Sequence, residues 1–553
     1  MTSRREFMAG VAAGLGGGLM GSRFRPSTTS DDPFALPSLA QLSWLDLEVG
    51  MFVHFAPNTW QDQEYDDRSI PADLLPFTAD AEQWADTAVA LGARYVVLVA
   101  KHVGGFCLWQ TTTSEYSVRN TSWKGGRGDV MAELAEACRA RGLGLGVYLS
   151  PRDDFYGAGL SGRASTPEKQ QLYNGVARQQ LTELLTRYGP LVEIWFDGGS
   201  VVPVGDLLEQ YAKGAMVFQG PQATIRWVGN EDGFAPDPVW NALAKADAAT
   251  GIATALHGDP QGEAWMPLEV DVSIRRPNWF WSASNDANLL QLDKLMEIYY
   301  RSVGRGTQLL LNLPPDRSGR IPEADAARAR AFGDEIRRRF STPVAATGGA
   351  GAAGAAITLA IKDASPIDHV VLEEDLRAGQ RILSYRLDGL LASGWRPLGA
   401  GTSIGHKRIH PITPGRYSEL RVVFPAQLGR PILRKFSAYQ TGAEPPASWQ
   451  QAAQVWADDD AGSWVGGAFD LDLTDRIDRA AQYRARFIAR GPGIPRIRPT
   501  ALLIDGVPHN ELLKLDVTRG DLLFLSIPSV GPKIQLSGEV SGAAAGVILL
   551  RRL

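Results

Sequence analysis

Two carboxylates stand where apolar runs end. Asp197 closes the run Val192-Glu193-Ile194-Trp195-Phe196, and Gly198-Gly199 then gives the backbone room to turn. Glu231 follows Arg226-Trp227-Val228-Gly229-Asn230. A carboxylate among apolar residues is costly unless it is paired or used; the competing reading of Asp197 is a loop cap. Two carboxylates from different strands, flanked by aromatics, suit cleavage of a glycosidic bond. One attacks the anomeric carbon and the other protonates the departing oxygen. His54 and His102 lie at the exits of two further apolar runs, Met51–Phe55 and Tyr95–Val99. Their imidazoles could hydrogen-bond sugar hydroxyls, or serve only as structural histidines. Most of the 15 tryptophans, Trp195 among them, precede residue 282. Some would offer flat faces to pyranose rings, although large aromatics are ordinarily core.

Other chemistries find little support. His406 and His410 form a His-x-x-x-His pair in a β-rich stretch just before Pro411, with no Cys-x-x-Cys nearby. A zinc site of familiar spacing is not expected, and neither a metal nor an organic cofactor is needed. Cys107 and Cys138 cannot make a disulfide framework and read as buried thiols. The formal net charge of −5 argues against a nucleic-acid binder or a polybasic membrane-surface protein.

The candidate residues need a scaffold that brings strand ends together. Continuous apolar runs at 51–55, 95–99, 145–149, 192–196, 215–219, 225–228, 270–274 and 308–313 read as strands buried on both faces. Helical spacing separates them at 81–91, 129–142, 168–188 and 286–302, with Asp129 as a cap and Gly92 and Gly142 as stops. About eight such units predict a (β/α)8-type barrel over residues 31–340, with its chemistry at the C-terminal ends of the strands. A doubly wound open sheet is the alternative, but no Gly-x-Gly-x-x-Gly turn follows the first strand. The Ala/Gly-rich residues 341–356 read as a linker. Residues 357–441 read as a β-sandwich and 442–553 as a second all-β domain.

The N-terminus reads as an address. Ser3-Arg4-Arg5-Glu6-Phe7-Met8 precedes an apolar stretch from Ala9 to Met20. The pattern resembles a twin-arginine export signal, which would place the protein in the periplasm or outside the cell. The competing reading is a disordered basic N-terminus. The stretch is too short for an ordinary spanning helix, and no other run could span a membrane.

Six motifs occur in order: Gly50-Met-Phe-Val-His54-Phe; Ala100-Lys101-His102-x-x-Gly105-Phe106-Cys-Leu-Trp109; Tyr148-Leu-Ser-Pro151; Tyr188-Gly-Pro-Leu-Val-Glu-Ile-Trp195-Phe-Asp197-Gly; Arg226-Trp-Val-Gly-Asn-Glu231; and Ser302-Val-Gly-Arg305-Gly-x-x-Leu-Leu-Leu-Asn312-Leu-Pro-Pro315. Together they resemble glycoside hydrolase family 29, the α-L-fucosidases, over roughly residues 40–340. The stretch Ile367 to Arg381 is similar to the β-sandwich that follows the barrel in that family. Gly-Asn-Glu resembles the subgroup acting on α-1,3 and α-1,4 fucosyl branches. The resemblance implies a fucosylated oligosaccharide or glycoconjugate as substrate and a retaining mechanism. Asp197 would be the nucleophile and Glu231 the general acid/base, with carboxyls ~5 Å apart. By the same carry-over His54 and His102 would hold fucose hydroxyls, with Trp60, Glu64, Tyr65, Trp195 and Trp279 nearby. Of Arg275 and Arg276, the three-residue spacing to Trp279 favours Arg276 as the arginine that reaches the sugar.

The sequence departs from the family pattern beside His102. The usual Lys-His-His-Asp-Gly-Phe is here Lys101-His102-Val103-Gly104-Gly105-Phe106, and Ser-Pro-Trp-Asp is Ser150-Pro151-Arg152-Asp153. Losing one well-placed polar contact costs roughly 2–4 kcal/mol of transition-state binding. The expectation is therefore a fucosidase, with a glycosidase of altered glycone specificity or a non-catalytic carbohydrate-binding protein as alternatives.

Overall fold

A computed structural model describes residues 35–248, 258–347, 352–353 and 356–444. Of the last domain it describes 459–473, 482–489, 496–504, 506–510, 513–516, 521–525, 534–541 and 545–552. The proposed export signal lies outside the described residues.

The expected barrel forms. Its strands are β1 (Val49–Val53), β2 (Tyr95–Lys101), β3 (Gly144–Leu149), β4 (Glu193–Trp195), β5 (Met216–Phe218), β6 (Arg226–Trp227), β7 (Leu268–Ser273) and β8 (Gln308–Asn312). The hydrogen-bonded order is 5-4-3-2-1-8-7-6, all parallel, and a bridge between Phe218 and Ile225 nearly closes the ring. Alternate residues explain the continuous apolar runs. In β2, Val96, Leu98 and Ala100 face the helices, while Tyr95, Val97 and Val99 fill the lumen with Phe52, Tyr148 and Trp195. Gly50 is required by that lumen: a Cβ there would lie 2.3 Å from the Tyr95 ring.

Seven helices of seven residues or more lie among the described residues. These are α1 (Leu39–Leu45), α2 (Ala81–Leu91), α3 (Val130–Arg141), α4 (Pro167–Arg187), α5 (Gly205–Tyr211), α6 (Leu292–Arg301) and α7 (Glu323–Phe340). Asp80 and Asp129 accept from Gln83 N and Ala132 N, and Gly92 and Gly142 end α2 and α3 with positive φ. The helix expected over 286–302 is two pieces, a 3-10 segment at Ala283–Asn288 and then α6.

Two all-β units follow. The first packs a sheet containing Pro366–Glu374, Arg408–Arg416 and Ile432–Tyr439 on one containing Ala356–Ala360, Ile382–Leu391, Gly394–Gly401 and Glu419–Gln427. The stretch expected to be a linker contributes short strands at Ala345–Ala346 and Ala352–Ala353, both paired with Ile432–Tyr439. The second unit encloses its own core around Phe469, Phe487, Leu502, Leu536 and Ile548.

Candidate active site

The exits of β1 to β4 place four side chains around one mouth. His54 follows β1 and is buried. Its Nδ1 meets Asn312 Oδ1 at 2.8 Å, while Asn312 Nδ2 donates to Ser273 Oγ and to the Trp279 carbonyl. The amide oxygen is therefore an acceptor, so His54 Nδ1 carries the proton and Nε2 is left to accept. Burial holds the imidazole down at about 3, the neighbouring His102 adding to the effect. His102, after β2, is held at about 4 by burial and by Arg152. Both rings are neutral at ordinary pH and can exchange hydrogen bonds with hydroxyls.

Asp197 lies two residues beyond Trp195 on the same inward row of β4. Its carboxylate opens toward the mouth, yet barrel walls crowd it from below, which raises its pKa. The Tyr148 hydroxyl, donating to Oδ2 at 3.1 Å, and the Gly198 amide act in the opposite direction. Tyr148 is thus a site residue that the motif contained and the candidate set omitted. Its inward position on β3, in register with Trp195, is the signal that could have found it.

Glu231 sits on the loop after β6, 38% exposed, with Arg276 Nη1 3.3 Å from Oε2. Arg276 Nη2 donates to Asp232 at 3.2 Å. Arg275 points the other way, into a buried fork on Asp325 at 2.7 and 2.9 Å. So the arginine beside the site is Arg276.

Other candidates divide between the mouth and its supports. The Trp279 ring lies 5.0 Å from His54. Glu64 accepts from Trp279 N and Asn278 Nδ2, both at 3.0 Å, and so ties the β1 loop to the β7 loop. Burial raises its pKa, and Glu231 contributes. Tyr65 is exposed, its ring 6.5 Å from His102 and 5.8 Å from the Arg152 guanidinium. Trp195 is buried one layer below Asp197, stacked on Phe218 at 3.5 Å. It forms the floor rather than a free platform. Trp60 was expected near the sugar, but its ring packs on Phe55 and Phe77 at 5.2 and 5.7 Å, in the layer between strands and helices. Phe55 faces outward against Trp84, which draws Trp60 into that layer.

The lumen below is polar. Glu193 accepts from the Trp44 and Trp195 indoles, and Tyr95 donates to Glu269. Burial raises both carboxyls, Glu269 the more strongly because the Glu193 charge adds to it. Asp271, on the same inward row of β7, accepts from Trp227 Nε1 at 2.6 Å. Burial pushes it up to about 7, with Glu231 and Asp197 contributing. Asp271 was absent from the candidate set. Among the described residues no group of His, Cys, Asp and Glu could hold a metal ion.

The model of the α-L-fucosidase family matches residues 52–338. The chain belongs to that family. It is 34% identical over 424 residues to Alpha-L-fucosidase 1 of Arabidopsis thaliana, covering 68% of this chain and 81% of the relative. The solved structure of a Ruminococcus gnavus family 29 fucosidase in complex with fucose is 25% identical, with a TM-score of 0.64, covering 73% of this chain and 95% of that one. A family 29 member from an unknown rumen bacterium is 25% identical, with a TM-score of 0.65, and covers 94% of this chain and 96% of its own. The likeness therefore extends past the barrel into both β units. This chain is an α-L-fucosidase, a glycoside hydrolase.

Proposed function

We propose that this fucosidase is an exported, retaining enzyme that removes terminal α-1,3- or α-1,4-linked L-fucose from oligosaccharides or glycoconjugates. The observation that carries the mechanism is the contrast between its two carboxylates. Asp197 opens to the mouth just past the end of β4, with the Tyr148 hydroxyl on one oxygen and its pKa raised. Glu231 stands half-exposed on a loop beside Arg276. In the first step an Asp197 oxygen bonds to the anomeric carbon, the bond to the leaving oxygen breaks, and Glu231 gives that oxygen its proton. In the second, Glu231 takes a proton from water, whose oxygen attacks the anomeric carbon and frees Asp197. Neutral His54, accepting at Nε2, and His102 bind the hydroxyls of the sugar. The Gly-Asn-Glu motif supports the linkage assignment, and the arginine pair at positions 4 and 5 supports export.

The test is a panel of fucosyl oligosaccharides with α-1,2, α-1,3, α-1,4 and α-1,6 linkages, followed by NMR. Release of α-L-fucose as the first anomer from the 1,3 and 1,4 members is expected. Initial β-L-fucose would overturn retention, and release from other linkages alone would overturn the linkage.

A second reading, altered glycone specificity, is favoured by the wall beyond His102. Val103 is buried and apolar there. A Cβ on Gly104 would lie 2.4 Å from an Asp66 carboxylate oxygen, so that carboxylate fills the space a side chain would use. Arg152 is forked onto Asp154 at 2.8 and 2.9 Å. On this reading Val103→His raises activity on simple fucosides, and a further loss would sink it.

A further inference from the structure

The loop that carries Glu231 leaves the barrel after a two-residue strand, Arg226–Trp227. Near Glu231 it is held by Arg276, which reaches Glu231 and Asp232 at 3.3 and 3.2 Å, and by Asn230 Nδ2, which donates to Phe234 O at 3.0 Å. Asp232 N donates to Asn230 Oδ1 at 3.0 Å, and Ala235 N donates to the Arg301 carbonyl at 2.8 Å. Residues 237–241 are gripped as well, and much of the grip comes from the first β-sandwich. Arg408 forks onto Asp237 at 2.9 and 2.8 Å, with both side chains buried. The Gln380 amide closes on the loop backbone twice, donating to Val239 O at 2.9 Å and accepting from Asn241 N at 3.1 Å. Ser403 Oγ accepts from Val239 N at 3.1 Å. Trp240 packs with Leu383 and Leu428 of the sandwich. From the barrel side, Arg226 reaches the Trp240 carbonyl and Arg305 the Ala235 carbonyl.

We propose that the first β-sandwich positions the acid/base: Arg408 and Gln380 are positioning residues that set the loop bearing Glu231 from outside the barrel. The proposal rests on the reading of Glu231 as acid/base. A bidentate guanidinium–carboxylate pair fixes angle as well as distance. A side-chain amide bonded to both a carbonyl and an N–H of the loop does the same for the backbone. Acid catalysis needs the proton within hydrogen-bond reach of the leaving oxygen. Attack by Asp197 does not depend on that loop, because β3 and β4 carry Tyr148 and Asp197.

The two functions separate by leaving group. A dinitrophenolate leaves without protonation, whereas a sugar alkoxide does not. Gln380→Ala and Arg408→Met are therefore compared with the wild-type full chain by kcat/KM on a dinitrophenyl fucoside and on a fucosyl oligosaccharide. Gln380→Ala removes no charge and serves if Arg408→Met fails to fold. The expected result is a loss of about tenfold to a hundredfold on the oligosaccharide, a fraction of what general acid catalysis contributes, with the aryl fucoside within about threefold. Equal losses on both substrates, or no loss on either, would overturn the proposal. Glu231→Ala is run beside them. If it shows the split and the sandwich variants do not, the clamp alone fails. If Glu231→Ala shows no split, the acid/base assignment fails and takes the clamp with it.

Discussion

The two sides of the barrel mouth are built differently. His54, His102, Tyr148 and Asp197 stand on or just past β1 to β4, each at the end of strands paired within one continuous sheet. Glu231 stands four residues past a strand of only two, on a loop held by α6 and by the sandwich. The nucleophile side gains its precision from backbone pairing, and the acid/base side from side-chain clamps. The difference suits the chemistry. The nucleophile must meet one carbon at ~3–3.5 Å, whereas the acid/base must reach a leaving oxygen first and a water afterwards.

Removing each carboxylate tests the contrast most sharply. Asp197→Ala should lower kcat/KM on the order of 10,000-fold or more for oligosaccharide and aryl fucoside alike, since no other group makes the ester. Glu231→Ala should cost about 100- to 10,000-fold on the oligosaccharide and far less on an activated aryl fucoside. Parallel losses for the two variants across both substrates would erase the distinction between the sides.

The rigidity of the nucleophile side has a separate test. Lys101 ends β2 and donates to Asp153 at 2.7 Å and Gln180 at 3.0 Å, with Lys101 and Asp153 fully buried. That pair locks the β2 exit to the β3 loop. Lys101→Met leaves the Asp153 charge buried and alone, so unfolding in denaturant should show a loss of ~3–5 kcal/mol. A loss below 1 kcal/mol would mean that the strands alone hold this side.

The same contrast governs what could be read from the sequence. β1, β2 and β3 are apolar runs buried on both faces, and such runs announce themselves. β5 and β6 form inside the runs expected at 215–219 and 225–228, but shrink to three and two residues. Periodicity has little to register in so short a span. The hairpin of Ala242–Leu243 with Ala264–Trp265, two residues on each side, went unread. Sandwich contacts such as Arg408 with Asp237 link residues 171 apart, beyond any local pattern. The polar lumen was legible in principle. Glu269-x-Asp271-x-Ser273 and Glu193-x-Trp195-x-Asp197 alternate with apolar residues, which is the mark of strands with one polar face. Asp197 was noticed because it ends its run, and Asp271 was missed because it lies inside one.

Asp271 joins the two sides and carries the smallest predicted effect. It is buried, and its carboxyl is pushed up to about 7, first by burial and then by Glu231 and Asp197. Trp227 on β6 donates to it, Glu269 lies on its own strand, and the neighbouring β8 presents the uncharged Asn312. A carboxyl whose folded pKa is raised favours the folded state least at high pH. Its stabilising share is complete below the ordinary carboxylate value and is lost as pH rises through about 7. Asp271→Asn removes that dependence, while the amide oxygen still accepts from the Trp227 N–H. Relative to wild type, the variant should therefore gain about 2 kcal/mol between pH 5.5 and 7, at roughly 1.4 kcal/mol per pH unit, and nothing further above that. Urea unfolding at pH 5.5, 7 and 8.5 measures it. A difference that does not change with pH would mean that Asp271 is already ionised at pH 5.5, and that the two carboxylates of the mouth share their site with a third charge.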